Sequence, residues 1–178
     1  MYIETERVYL RPFDLADFED FYEYIVDSEL CRMAGFEKID HKDSAYRELK
    51  TLIENGVYAI VYKESEKVIG NFAIEPLPEL FTKNARLKSK NGVTLSFALS
   101  NQYQRKGLIS EILEKIIHWL FNEQNIDFIN CGYFNFNQAS CNLQKKFRFE
   151  YYGTHMVHRP NQEIETIEMV LFKNHNRE

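Results

Sequence analysis

Residues 103–110, Tyr-Gln-Arg-Lys-Gly-Leu-Ile-Ser, place two cations and a glycine directly before an amphipathic segment. Arg105 and Lys106 carry full positive charges, and Gly107 allows the backbone to approach a ligand closely. Backbone N–H groups in the first turn of a helix have no intrahelical partner and lie at the positive end of the helix dipole. This combination indicates a loop that binds phosphate.

The segments on either side of this loop must position it. Residues 93–99 are mainly apolar and read as a strand. After the loop, apolar side chains recur at helical spacing on one stripe, at Ile109, Ile112, Leu113, Ile116, Ile117, Leu120 and Phe121. The sequence therefore predicts a strand, a basic turn and a helix in succession.

The remaining pattern predicts a single mixed α/β domain covering residues 1–178. Predicted strands cover residues 8–13, 57–63, 67–75, 93–99, 128–133, 149–157 and 164–172. Predicted helices follow Asp14, span residues 43–55, follow the basic loop and span residues 137–146. Residues 79–91 read as a long polar loop, either a solvated hairpin extension or a mobile substrate flap.

Composition fits one domain with a substantial core, since 44% of the 178 residues are hydrophobic. The formal net charge is -5 and the pI is near 5.6. We therefore expect no nucleic acid as the primary partner, because nucleic-acid-binding domains are usually basic. Mild acidity suits a cationic small substrate, although it also simply keeps a protein soluble.

Three cysteines, Cys31, Cys131 and Cys141, form neither a disulfide framework nor a paired zinc motif. The first 13 residues carry charges and resemble no signal peptide. No apolar run approaches the ~18 residues of a membrane span. These features predict a cytoplasmic protein in a reducing compartment, without a membrane partner.

Residues 101–110 carry a resemblance to a known family. This segment resembles the acetyl-CoA signature of the GNAT superfamily of acetyltransferases, Gln/Arg-x-x-Gly-x-Gly/Ala, which Gln104 and Gly107 match. Arg105 stands where the family often has Gly. Ile109 stands where the family has Gly or Ala, so a looser grip on phosphate is expected there.

Two further blocks agree with this resemblance. Residues 137–140, followed by residues 146–149, resemble the family segment Asn-x-x-Ser…Lys-x-Gly-Phe, with Arg148 in place of the glycine. Residues 5–13 resemble the start of the branch that acetylates ribosomal-protein N-termini, antibiotics and polyamines. The resemblance covers nearly the whole chain.

The resemblance implies a GNAT-like acyl-CoA N-acyltransferase fold with a central, mostly antiparallel twisted sheet and helices on both faces. Acetyl-CoA would enter where the strand at 93–99 splays from the strand at 128–133. Its pyrophosphate would lie on the N–H groups of residues 105–110, and its pantetheine would pair with the backbone near residues 97–99. The implied cofactor-binding residues are Phe97, Ala98, Leu99, Gln104, Arg105, Lys106, Gly107, Leu108, Ile109, Ser110, Asn137 and Ser140.

The implied reaction is direct attack of an amine on the acetyl thioester, which requires an acid for the departing thiolate. Many relatives use a tyrosine at the position of Gln144, and glutamine cannot donate a catalytic proton. Ser140 is therefore the candidate catalytic residue, although it could instead only bond backbone or cofactor. Tyr133 is a rival donor, with a packing role as the alternative.

The base is left open by the sequence. Thr94 stands at a strand position where many relatives carry Glu, so Glu75, Glu168 or a chain of waters are the candidates. His155 and His158 flank a late turn, but two histidines without supporting ligands do not make a metal site, and no metal is assigned.

The sequence thus predicts an acetyl-CoA-dependent N-acetyltransferase acting on a primary amine of a small molecule or a protein N-terminus. The alternative is a non-catalytic acyl-CoA-binding sensor or interaction module of the same fold. A different nucleotide-binding fold is disfavoured, because neither of the common glycine-rich phosphate motifs occurs. An exposed edge of the C-terminal strands could support a homodimer.

Overall fold

An open eight-stranded mixed sheet with helices forms the part of the chain that the structure describes, residues 2–37, 39, 41–159 and 162–173. In this computed structural model the strands are β1 (Ile3–Glu4), β2 (Val8–Pro12), β3 (Tyr58–Tyr62), β4 (Lys67–Glu75), β5 (Gly92–Leu99), β6 (Phe128–Phe134), β7 (Glu150–Arg159) and β8 (Gln162–Phe172). The helices are α1 (Phe18–Ile25), α2 (Ser28–Ala34), α3 (Lys42–Glu54), α4 (Glu79–Thr82), α5 (Leu108–Asn122) and α6 (Gln138–Lys146).

The strand order in the sheet is β1-β2-β3-β4-β5-β6-β8-β7. The pairing of β5 with β6 is parallel, and the pairings of β1 with β2, β2 with β3, β3 with β4, β6 with β8 and β7 with β8 are antiparallel. The prediction of a mixed α/β fold with a mostly antiparallel sheet is therefore confirmed.

The chain divides into two compact units. The first unit comprises Met1–Ala73 and Phe97–Ile116, and the second comprises Ile74–Ser96 and Ile117–Glu178. Three elements, β4, β5 and α5, contribute residues to both units. The single-domain organisation of residues 1–178 stays a prediction.

The first unit has its own apolar core, in which helix side chains pack on strand side chains. Fully buried members include Phe21 and Ile25 of α1, Leu49 of α3 and Ala59 of β3. Among the described residues three α-helices precede β3, whereas the sequence pattern predicts two helices. The additional helix is α2, which Asp27 caps by accepting hydrogen bonds from the N–H groups of the first turn.

The second unit contains an apolar cluster that corrects one prediction. Residues 79–91 were expected to be polar loop, but they include α4 and bury Phe81 and Leu87. These two side chains pack with Phe128 of β6 and Val170 of β8. Apolar contacts anchor the segment, so the loop prediction is wrong at α4.

None of the helices in the described residues has the length and apolar character that crossing a membrane requires.

Candidate active site

The basic loop has a backbone conformation suited to binding an anion. Arg105 has a φ of 60° and Gly107 a φ of 83°, so two left-handed residues flank Lys106. Such alternation turns successive N–H groups toward one concave surface. Within the described residues, no acceptor pairs with the N–H groups of residues 105–107. Since α5 begins at Leu108, unpaired donors of the first helical turn follow directly.

Side chains of the first unit hold this loop in place. The Gln104 Nε2 donates to the carbonyl of Leu99 at 2.8 Å, which fastens the loop to the end of β5. The Asn101 Nδ2 donates to Asp27 Oδ2 at 2.6 Å. The side chain of Gln104, predicted to bind cofactor, therefore positions the loop.

A third anchor comes from the N-terminal segment. The Arg7 Nη2 donates to the carbonyl of Lys106 at 2.8 Å, and its Nε donates to Glu111 Oε1 at 2.6 Å. Thr5 Oγ1 donates to the other carboxylate oxygen of Glu111 at 2.8 Å. Burial acts to raise the pKa of Glu111, but the hydrogen bonds from Thr5 and Arg7 outweigh it and hold the pKa below its ordinary value.

The loop has exposed charged side chains, and buried apolar side chains follow them. Arg105 and Lys106 are exposed, and Lys106 Nζ lies 5.1 Å from the centre of the Tyr103 ring. Leu108 and Ile109 are buried. The branched side chain of Ile109 therefore packs inward. The looser grip on phosphate at this position stays a prediction.

The end of β5 lies close to β4 in the first unit. Phe97 is half-buried and its ring stacks on Phe72 with 6.0 Å between centres, while Ala98 and Leu99 are buried. A Cβ added to Gly70 would collide with the carbonyl oxygen of Ala98, so only glycine permits this approach. Pantetheine pairing with residues 97–99 stays a prediction.

The parallel pairing between β5 and β6 is short. It covers Gly92–Phe128, Val93–Ile129 and Thr94–Asn130, and no later β5 residue pairs with β6 among the described residues. Strand β6 continues to pair with β8 as far as Phe134. A pair of strands can open around a cofactor only if their pairing ends early in this way.

In the second unit, Asn137 and Ser140 are brought together at the start of α6. Asn137 Oδ1 accepts a hydrogen bond from the N–H of Ser140 at 3.1 Å, so Asn137 caps the helix. Gln144 is fully buried and its Nε2 donates to Ser140 Oγ at 3.1 Å. Because Gln144 occupies a lone pair of the hydroxyl oxygen, the hydroxyl hydrogen of Ser140 is left for another acceptor.

Tyr133, the rival donor, already has a partner. Its hydroxyl donates to Cys141 Sγ at 3.2 Å. Burial, followed by this contact, raises the pKa of Tyr133 to about 12. The hydrogen bond from Tyr133 lowers the pKa of the Cys141 thiol. Because the hydroxyl hydrogen of Tyr133 is already donated to Cys141, whereas Ser140 Oγ accepts from Gln144 and keeps its hydrogen available, the hydrogen-bond geometry favours Ser140 over Tyr133.

The candidate bases lie in different surroundings in the second unit. Glu75 is exposed and its Oε2 accepts a hydrogen bond from Ser96 Oγ at 2.7 Å. Thr94 Oγ1 donates to Asn130 Oδ1 at 2.9 Å, and Asn130 Nδ2 donates to Glu168 Oε2 at 2.6 Å. Hydrogen bonds therefore link the threonine at the family's glutamate position to a carboxylate on β8.

The structure gathers the predicted residues in two groups. Residues 97–110 lie together in the first unit, and Asn137 with Ser140 lies in the second. Arg7 and Glu111, which hold the loop in the first unit, and Asn130, which contacts Thr94 and Glu168 in the second, are not among the predicted residues. Among the described residues, no group of three or more His, Cys, Asp and Glu is arranged to hold a metal ion.

Comparison with known proteins identifies the class. Residues 7–150, most of the chain, match the family model of the acetyltransferase (GNAT) domain. The protein therefore belongs to the GNAT acetyltransferase family, which implies acyl transfer from an acyl-CoA.

Individual relatives agree with this assignment. An uncharacterized N-acetyltransferase of Bacillus subtilis (strain 168), YoaA, is 22% identical over 157 residues, which cover 85% of this chain and 84% of that protein. A GNAT-family acetyltransferase from Bacillus anthracis has a TM-score of 0.82 at 15% identity, with 98% of this chain and 99% of that chain covered. The ribosomal-protein-S5-alanine acetyltransferase from Vibrio fischeri has a TM-score of 0.74 at 18% identity, with 98% and 97% covered. At these identities the structural likenesses show the fold.

Proposed function

We propose that the protein is an N-acetyltransferase that moves an acetyl group from acetyl-CoA to a primary amine of a small molecule or of a protein N-terminus. The observation that carries this proposal is the loop of residues 104–107, whose left-handed Arg105 and Gly107 present unpaired N–H groups beside the start of α5. A pyrophosphate is a strong acceptor for such a donor cluster.

In the proposed reaction, the neutral amine attacks the carbonyl carbon of the thioester. A carbon–nitrogen bond forms, a tetrahedral oxyanion develops and the carbon–sulfur bond then breaks. Backbone N–H groups near residues 97–99 stabilise the oxyanion, and the hydroxyl hydrogen of Ser140 goes to the departing thiolate. The proton that the nitrogen loses as the amide forms then restores the serine hydroxyl. Gln144 orients Ser140 by donating to its oxygen, so the glutamine assists the acid that it cannot replace.

The acceptor class follows from charge and from relatives. The net charge of -5 suits a substrate that arrives as an ammonium cation. The name of the Vibrio fischeri relative supports peptides with a free α-amino group as one acceptor class. Polyamines and aminoglycosides form the other class in the proposal.

Two further expectations belong to this proposal. Cytoplasmic location is supported by Cys31, Cys131 and Cys141, which are free thiols. A homodimer is supported by the place of β7 at the edge of the sheet, where its outer backbone groups can pair with a second copy. Light scattering of the purified protein tests the dimer.

The experiment measures thiol release from acetyl-CoA against polyamines, aminoglycosides, amino acids and N-terminal peptides, together with calorimetric titration of CoA. Turnover with any amine supports the enzyme. Measurable CoA binding without turnover of any amine would support the alternative, a non-catalytic acyl-CoA sensor. If the protein bound no CoA, both the enzyme and the sensor proposals would be wrong.

A further inference from the structure

A buried carboxylate without a full cationic partner lies on one face of the sheet in the second unit. Glu168 of β8 is only 4% exposed. Its Oε2 accepts a hydrogen bond from Asn130 Nδ2 at 2.6 Å. Its Oε1 lies 3.5 Å from His155 Nδ1, and no Lys or Arg forms an ion pair with it among the described side chains. Burying a carboxylate in this way costs free energy unless something compensates it.

The carboxylate lies where β5 and β6 stop pairing. Asn130, which holds it, is the last β6 residue that pairs with β5, and its partner there is Thr94. The hydrogen bond from Thr94 to Asn130 continues to Glu168. Glu168 therefore reaches, from β8, the surroundings in which a β5 residue at position 94 would place its own carboxylate.

Glycine provides the space for this carboxylate. A Cβ added to Gly132 would lie 2.8 Å from Glu168 Oε2 and 3.0 Å from Oε1, too close for any real side chain. Gly132 is itself exposed. The carboxylate thus fills the space that a side chain at position 132 would need, directly beside exposed backbone.

Two more polar atoms on this face have no hydrogen-bond partner. Thr166 is 7% exposed and its Oγ1 is buried without a hydrogen-bond partner among the described residues. Nδ1 of His155 is also buried and makes no hydrogen bond there, although it lies within ion-pair distance of Glu168 Oε1, at 3.5 Å. Thr166 pairs with His155 across the β7–β8 register and lies two residues from Glu168, so all three share one face. Unpaired buried polar atoms are uncommon in native proteins and call for a missing partner.

We propose, building on the acetyltransferase function above, that this face binds the ammonium group of the acceptor and that Glu168 takes up its proton. An ammonium group has three N–H donors, and the face offers the Glu168 carboxylate, Thr166 Oγ1 and His155 Nδ1 as acceptors. One N–H bond breaks as the proton passes to Glu168, and the freed lone pair of the nitrogen then forms the bond to the acetyl carbon. The carboxylate from β8 thereby serves in place of the one absent at Thr94.

The experiment compares Glu168→Gln with Glu165→Gln, using the best amine found in the panel. Glu165 is exposed, on the same strand but the opposite face, and its change removes the same charge. We expect Glu168→Gln to lower kcat/KM for the amine by about 100-fold or more, the range for loss of a general base. CoA affinity should be unchanged in both variants, and Glu165→Gln should keep wild-type kcat/KM.

Thr166→Val gives an independent test that does not depend on removing a buried charge. Since Oγ1 has no partner, its replacement by a methyl group of similar size should leave the protein folded and at least as stable. We expect KM for the amine to rise about fivefold, the effect of losing about 1 kcal/mol of hydrogen bonding, with kcat retained. A merely structural threonine would leave KM unchanged.

The outcomes separate this inference from the function on which it rests. If the wild type turns over an amine and Glu168→Gln or Thr166→Val behaves as the wild type does, the amine site is wrong and the acetyltransferase stands. If the wild type binds CoA but acetylates no amine in the panel, both are overturned.

Discussion

Arg7 and Glu111, 104 positions apart in the sequence, form an ion pair with Arg7 Nη2 2.5 Å from Glu111 Oε1. The same guanidinium group donates to the carbonyl of Lys106 within the basic loop. Arg7 therefore has two effects. It holds the loop backbone, and it neutralises a carboxylate in the first turn of α5. An uncompensated carboxylate at this place would repel a phosphate that approaches the helix N-terminus.

Replacement of Arg7 should weaken binding of CoA. For Arg7→Gln we expect the Kd to rise about tenfold, since a hydrogen bond from a charged group contributes about 1.5 kcal/mol. Calorimetry measures the Kd, and S-acetylpantetheine, which lacks the pyrophosphate, is the control donor. If both donors are affected equally, Arg7 supports the fold in general and the positioning role is wrong.

The Arg7–Glu111 pair should also give a signature in stability against pH. The pKa of Glu111 is lowered in the folded protein, so its contribution to stability is complete above its unfolded value of 4.5 and is lost as the pH falls through the lower folded value. Melting temperatures of the wild type and Glu111→Gln should differ by a constant amount from about pH 7 to about pH 5.5 and converge as the pH falls below 4.5 and through the lowered folded value. A difference that grows on acidification would contradict the sign of this shift.

The exposed cations of the loop should act through charge. We expect Arg105→Ala/Lys106→Ala to raise the Kd for CoA about tenfold at low salt and less in about 0.5 M salt, where screening is strong. The matched control is Lys88→Ala/Lys90→Ala, which removes the same charge from exposed positions in the second unit. Unchanged affinity in the loop variant would mean that the phosphate site lies elsewhere.

Ser140→Ala tests the acid. We expect kcat at saturating substrate to fall about 100-fold, the lower end of the range for general acid catalysis, with the Kd for CoA little changed. The helix cap survives in this variant, because Asn137 bonds the backbone N–H of residue 140 and needs no serine side chain. A wild-type kcat would show that Ser140 is a helix residue only.

Arg148 gives a prediction for stability alone. It follows the end of α6 with a φ of 61°, a left-handed conformation that glycine adopts without strain. Arg148→Gly should therefore stabilise the protein by about 1 kcal/mol, or about 3 °C in Tm for a chain of this size. Arg148→Ala keeps the Cβ and should give no such gain.

Much of the fold could be predicted from local sequence patterns, because hydrophobic periodicity and helix start and stop signals involve residues that are close in the sequence. The strand at β4 agrees with its predicted bounds, and α3 and β6 agree within one residue. The helix α2 was missed, although Asp27 before it and Gly35 after it are ordinary start and stop signals that could have indicated it. Phe81 and Leu87 stood among charged residues, and only tertiary packing shows that they are buried.

The candidate site also has one part that local sequence predicts and another part that depends on tertiary structure. The conformation of the loop follows from Gly107 and the start of α5, and so could be inferred from consecutive residues. The surroundings of Glu168 depend on the register of β8 with β6 and on the absence of a side chain at Gly132, which no local pattern gives. Arg7 could not be assigned to the loop, because nothing in a single sequence pairs residues so far apart.

The hydrogen bond from Arg7 to the Lys106 carbonyl has a practical consequence for protein engineering. A chain shortened to begin at Val8 would keep the residues of β2, yet it would lose the guanidinium of Arg7 that donates to the loop. Residues 103–110 are consequently not a portable motif. Transplanting them into another scaffold should transfer a basic turn but not its anion affinity, unless an arginine equivalent to Arg7 is grafted alongside.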